Sequence, residues 1–178
     1  MNVIYHYTSQ EKWKAIQDSG VLIPKSYPAA RGEMYKKYIN DLRSTAYTVG
    51  LSEPIPSGWM KYELMSWLMV WTKGEVLLEV PITDKDNTFI REHAEFSPRT
   101  FKQRFGTNLW EEIRRNPALF THPRNQALFI SYLKTSTPLN DYAGNFKAPE
   151  IWTPQETPVE IIKVIDMTHT IDSLANLS

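Results

Sequence analysis

The chain has 178 residues, 20 basic and 20 acidic side chains and no cysteine, a size that suits one core rather than several. Balanced charge excludes an overall field drawing it to nucleic acid or to a membrane, and the lack of thiols excludes a disulfide framework and a thiolate nucleophile. The four histidines, His6, His93, His122 and His169, show no HExxH or comparable ligand spacing, so no metal is expected.

In chain order, Val3 to Tyr7 is a short β-rich run and reads as a strand. Ser9 then caps a helix from about Gln10 to Asp18, with Gly20 as its stop and Trp13 and Ile16 on the inward face. Lys25 to Ser44 mixes Pro28, Gly32 and charges, with a short helix predicted from Glu33 to Leu42. Thr45 to Leu51 is a second strand. The turn residues Glu53 to Gly58 precede a Trp- and Met-rich helix predicted from about Trp59 to Trp71, apolar nearly all round and therefore expected to be buried.

Glu75 to Ile82 reads as a strand bounded by Gly74 and Pro81, and Thr88 to Ile90 as another. Ser97-Pro98 opens a helix predicted to reach Asn116 in one or two pieces. Ala127 to Leu133 is helix or strand by periodicity alone. Thr135 to Ala148 reads as a polar loop, and Glu150 to Thr153 and Glu160 to Met167 as closing strands. Strands at both ends with helices early and in the middle favour an α+β fold over a βαβ alternation. No internal repeat or linker divides the chain, so a single domain over residues 1–178 is expected. No GxGxxG or Walker-type loop is present, which argues against a Rossmann or P-loop nucleotide site. The N-terminus has no basic leader followed by an apolar stretch, and no apolar run approaches about 18 residues, so a cytoplasmic protein with no membrane partner is expected.

Three stretches carry a resemblance. They are Ile4-Tyr5-His6-Tyr7-Thr8-Ser9 followed by Trp13 and Gly20; Gly74 to Ile82 followed by Thr88 to Ala94; and Ala148-Pro149-Glu150-Ile151-Trp152-Thr153 followed by Pro158 to Ile165. Together they are similar to ADP-ribosyltransferase-fold enzymes and resemble the DarT type of DNA-modifying toxin. The resemblance implies a split β-sheet core with flanking helices and NAD as substrate. It implies that His6 bonds a ribose hydroxyl, with Tyr7 and Thr8 beside it on the NAD site. It also implies that Tyr47 stacks on nicotinamide, that His93 helps to shape the pocket and that Glu150 is catalytic.

Each residue also has a plainer reading: His6 as a structural histidine, Glu150 as a strand-edge carboxylate, Tyr47 as core, and His93 as a helix-start or surface residue. The family also uses an arginine before its second strand, and both Arg31 and Arg43 qualify by position.

The physical case is separable from the resemblance. Imidazole both donates and accepts, an aromatic face suits a flat cationic ring, and a carboxylate stabilises the oxocarbenium-like cation that forms as nicotinamide leaves and then helps to deprotonate the acceptor. Arg99, Lys102 and Arg104, and Arg114, Arg115 and Arg124, are either local phosphate-facing patches or the solvated sides of amphipathic helices. The expected activity is transfer of ADP-ribose from NAD to a macromolecule, single-stranded DNA or protein. The alternatives are an inert nucleotide-sensing or protein-binding domain of the same fold, and an RNA 2′-phosphotransferase, which would need a dense basic set. Acceptor identity and oligomeric state are not legible.

Overall fold

A computed structural model describes residues 1–26, 46–106, 112 and 122–167. The predicted helix at 33–42, both candidate arginines Arg31 and Arg43, the Arg114-Arg115 pair and His169 lie outside these residues. Among the described residues the fold is α+β, with antiparallel strand pairs throughout.

The strands are β1 (Val3–Thr8), β2 (Val21–Leu22), β3 (Lys25–Ser26), β4 (Ala46–Leu51), β5 (Val76–Pro81), β6 (Phe89–Glu92), β7 (Thr137–Pro138), β8 (Pro149–Thr153), β9 (Thr157–Pro158) and β10 (Lys163–Ile165). The main sheet runs β10-β5-β1-β4-β8-β6-β7, with β3 beside β4, while β2 and β9 form a separate pair. The helices are α1 (Gln10–Ser19), α2 (Ser57–Lys61), α3 (Leu64–Thr72), α4 (Pro98–Phe105) and α5 (Pro123–Lys134).

Local chemistry sets the ends of the first helix. The Ser9 side chain accepts the Lys12 N–H, and Gly20 ends α1 at φ 75°, where a Cβ would be strained. Alternation then sends β-strand side chains to opposite faces. On one face Ile4, Leu78, Val80, Ile90 and Ile151 pack with Trp13 of α1. On the other, Tyr7, Leu51 and Leu77 pack with Trp59, Leu64 and Met65 of α2 and α3, while Tyr47 and Trp152 pack with Phe101 of α4 and Leu128, Phe129 and Tyr132 of α5. Each fully buried large side chain contributes about 1.5–3 kcal/mol of transfer free energy.

Several expectations are corrected. The helix predicted from Trp59 to Trp71 is two helices, broken at Tyr62 and Glu63; Glu63 takes φ 62° without being glycine. Nor is it buried all round, because α3 packs on the sheet through Leu64 and Met65 and leaves Val70 and Trp71 59% and 58% exposed. The loop predicted from Thr135 to Ala148 contains β7 and a 3-10 turn at Leu139–Asp141, which Leu139 anchors by burial. The last strand is shorter than expected, since Val159–Ile161 is a 3-10 turn before β10. Ala127 to Leu133 is helical, as part of α5. α4 stops at Gly106, which takes φ 71° and donates its N–H to Lys102 O; apart from Glu112, the rest of the helix predicted there lies outside the described residues.

Candidate functional site

The site begins with strand register. Tyr5 faces Leu51, Leu51 faces Glu150, and Glu150 faces Arg91, so these four side chains form a row across β1, β4, β8 and β6 on one face of the sheet. The row continues outward through Glu79, opposite Tyr5, to Lys163, whose Nζ lies 2.9 Å from Glu79 Oε1.

The sheet is weakly joined in the middle of this row. β1 and β5 are registered at six pairs, from Val3 with Pro81 to Thr8 with Val76, whereas Tyr5 with Leu51 is the one pair registered between β1 and β4. Beyond that pair His6 bridges the two strands through its side chain: Nδ1 lies 2.7 Å from the Val49 carbonyl. A carbonyl only accepts, so Nδ1 carries the proton and donates, which leaves Nε2 as an acceptor in the neutral ring. Burial, opposed by the Val49 bond and reinforced by the Lys12 charge, holds the His6 pKa below 6.5.

A cavity opens at this junction, with about 370 Å³ of empty space including its mouth. His6, Tyr5, Tyr7, Val49, Gly50 and Leu51 line it from the strands, Trp59, Leu68 and Thr72 from the helices, and Glu150 from β8. The Tyr7 hydroxyl donates to Pro54 O at 2.6 Å and burial pushes its pKa up to about 12, so this residue presents its ring as wall.

Glu150 is buried and multiply held. Tyr132 Oη and Trp152 Nε1 both donate to its Oε2, the latter at 2.8 Å, and His93 Nδ1 lies 3.1 Å from Oε1. Burial alone would raise its pKa, but the facing His93, close at Nδ1, and the hydrogen bonds from Tyr132 and Trp152 outweigh that and bring it to about 2. A carboxylate in such a network remains ionised and is fixed in orientation.

The stretch entering β8 is clamped as well. Glu92 accepts the backbone N–H groups of Lys147 and Ala148 at 2.6 and 2.8 Å, His93 N donates to Ala148 O at 2.9 Å, and Trp59 Nε1 donates to Pro149 O at 2.9 Å.

The structure brings His6, Tyr7 and Glu150 together on one cavity. It does not place Thr8, Tyr47 or His93 among the lining residues. Thr8 is buried at the end of β1. Tyr47 is buried with its ring 5.7 Å from that of Trp152. His93 lies behind Glu150 among aromatic rings.

Sequence reasoning missed Trp59, Tyr132 and Trp152, which build the cavity wall or hold the carboxylate. It also missed Arg91, fully buried with its guanidinium 4.0 Å from the Trp152 ring centroid and Nε donating to Ser136 Oγ at 2.7 Å. Glu150 and Trp152 sit two apart on one strand and therefore share a face, the one sequence signal that could have pointed to this network.

Lys102 and Arg104 stand on the solvated side of α4, and Arg99 donates to Lys61 O. The Arg124 side chain lies outside the described residues. Among the described residues no group of three or more His, Asp or Glu side chains is arranged to hold a metal ion, and no helix is long and apolar enough to cross a membrane.

No family model matches the chain, and neither a curated protein nor a solved structure matches it. Function is therefore read from the chemistry of the site itself.

Proposed function

We propose that the chain is an NAD-consuming ADP-ribosyltransferase that moves ADP-ribose to a macromolecular acceptor, nucleic acid or protein, and releases nicotinamide. The observation that carries this reading is the cavity at the loosely joined β1–β4 boundary, where His6 and Glu150 from opposite ends of the chain line one space. The resemblance to ADP-ribosyltransferase folds implies a split β-sheet core, and a sheet loosely joined at one boundary is compatible with that.

In this reading Nε2 of His6 accepts a hydrogen bond from a ribose hydroxyl, its tautomer set by the bond from Nδ1 to Val49. The rings of Tyr5, Tyr7 and Trp59 wall the space taken by nicotinamide, which is flat and cationic in NAD. The bond from the ribose anomeric carbon to nicotinamide nitrogen breaks, its electron pair leaves with nicotinamide, and positive charge develops on the ribose. The fixed Glu150 carboxylate stabilises that charge. A carboxyl held near pKa 2 is a weak base, which favours this electrostatic role over deprotonation of the acceptor. The acceptor nucleophile then bonds to the same carbon and loses its proton to solvent.

A second reading is favoured by one observation: both Glu150 oxygens are already engaged from the buried side by Tyr132, Trp152 and His93. That supports a domain that binds a nucleotide without turning it over. The lining includes no Arg or Lys among the described residues, which does not favour an RNA 2′-phosphotransferase.

Incubation with millimolar NAD, with and without a lysate of proteins and nucleic acids, tests the reading by released nicotinamide. Release that rises with the lysate is expected. Bound NAD with no release supports the inert domain, and absence of binding removes both readings.

A further inference from the structure

We infer that His93 is a positioning residue, which holds the Glu150 carboxylate in place and acts on the proposed transfer through that carboxylate, without touching NAD. The inference rests on Glu150 carrying the transfer; the contact between the two residues stands apart from it.

Three features of the geometry point this way. His93 opens the 3-10 turn that follows β6, and its backbone N–H is bonded to Ala148 O, two residues before Glu150. The two residues are therefore tied through the main chain as well as the side chain. Next, the imidazole is caged: its centroid lies 5.1 Å from the Trp59 ring, 5.9 Å from Trp67 and 5.2 Å from Tyr132, rings supplied by α2, α3 and α5. The cage buries the imidazole and limits its movement.

Finally, the 3.1 Å approach of Nδ1 to Glu150 Oε1 is the one close polar contact of the imidazole among the described residues; it lies off the line of a strong hydrogen bond, and Nε2 is buried without a partner. A carboxylate oxygen at that distance favours the proton on Nδ1. The titratable groups facing the pair are Tyr132 from α5 and, across the β6–β8 register, Arg91.

Tyr132 and Trp152 hold the carboxylate at Oε2, and His93 is the residue that meets it at Oε1. Removing it leaves Oε1 without that contact and loosens the carboxylate beside the cavity. An electrostatic stabiliser out of place loses effect in the transition state more than in the ground state.

The test combines NMR of 15N-histidine and 13C-glutamate labelled protein with steady-state nicotinamide release, for wild type, His93→Leu and His93→Asn. Asn is chosen because its amide nitrogen reaches about where Nδ1 sits. In wild type the Glu150 midpoint is expected well below that of a free carboxylate, with the His93 proton on Nδ1. In His93→Leu the Glu150 midpoint moves up, kcat falls about tenfold or more and KM for NAD is unchanged; His93→Asn recovers part of both effects.

A folded His93→Leu with the wild-type Glu150 titration overturns the inference. So does a raised KM at constant kcat, which would put His93 on NAD. If His93→Leu does not fold, wild type alone decides, because a bare His93 Nδ1 beside an unshifted Glu150 midpoint also overturns it. No release by wild type would remove the transfer itself, and the NMR result would then judge the pairing alone.

Discussion

Gly58 lies so close to Lys147 that a Cβ on it would stand 1.5 Å from the Lys147 carbonyl oxygen. The first turn of α2 therefore docks directly on the chain that enters β8, and the next residue, Trp59, completes the contact by donating to Pro149 O. Glu92 holds the same stretch from the other side. The carboxylate of Glu150 is thus positioned by backbone packing on both flanks before its own hydrogen bonds are counted.

Gly58→Ala is expected to destabilise the fold by about 1–3 kcal/mol or more, because the backbone must part to admit the methyl group. Urea denaturation would show a lower midpoint with little change in slope. A variant as stable as wild type would mean that α2 does not sit this tightly on residue 147.

NAD binding should stabilise the fold. At free NAD near 100 times its dissociation constant, linkage gives about 2.7 kcal/mol, a visible rise in Tm. No shift at millimolar NAD would remove the binding reading.

His6 gives a prediction about pH. Its folded pKa is lowered, mainly by burial, from 6.5. The unfolded chain therefore takes up a proton before the folded one does, and the contribution of His6 to stability is present above 6.5 and lost as pH falls through the lower folded value. His6→Gln should flatten that part of the stability profile. It should also weaken NAD binding by about 0.5–1.5 kcal/mol while the domain stays folded, if Nε2 accepts from ribose. An unfolded variant would instead identify His6 as the structural joint between β1 and β4.

Elements governed by neighbours in sequence were legible, and those governed by distant neighbours were not. Ser9 and Gly20 announce both ends of α1 because capping and positive φ are local. The break at Glu63 leaves no such mark: no glycine or proline stands there, and Trp59 and Leu64 on its two sides are packed in one core cluster. His6 and Glu150 could be singled out by residue type and place, but their meeting on one cavity depends on the order β1-β4-β8, which no local pattern encodes. For the same reason Tyr132 was unreadable as a Glu150 partner, since α5 was ambiguous between helix and strand and its packing face is set by the sheet beneath it.

Glu150→Gln separates binding from chemistry. The amide oxygen can take the place of Oε2 and accept from Tyr132 and Trp152, and the amide NH₂ can face His93, whose ring then presents a lone pair at Nδ1 after a change of tautomer. Shape and hydrogen bonding are kept and only the negative charge is lost, so the variant is expected to fold and to bind NAD. Since the folded pKa of Glu150 is depressed from 4.5 to about 2, its contribution to stability is present above 4.5 and disappears as pH falls through the folded value. The variant should lack that segment of the acid-stability profile. Turnover should respond more strongly. A carboxylate that acts on charge developing at the ribose contributes mainly in the transition state, and removal of such a stabiliser lowers turnover by roughly 100-fold or more with binding little changed. The measurement is nicotinamide release and ADP-ribose incorporation into a lysate, wild type against variant, beside NAD affinity for each. Equal activity would exclude Glu150 as the catalytic residue, and bound NAD with no activity in either protein would favour the inert nucleotide-binding domain.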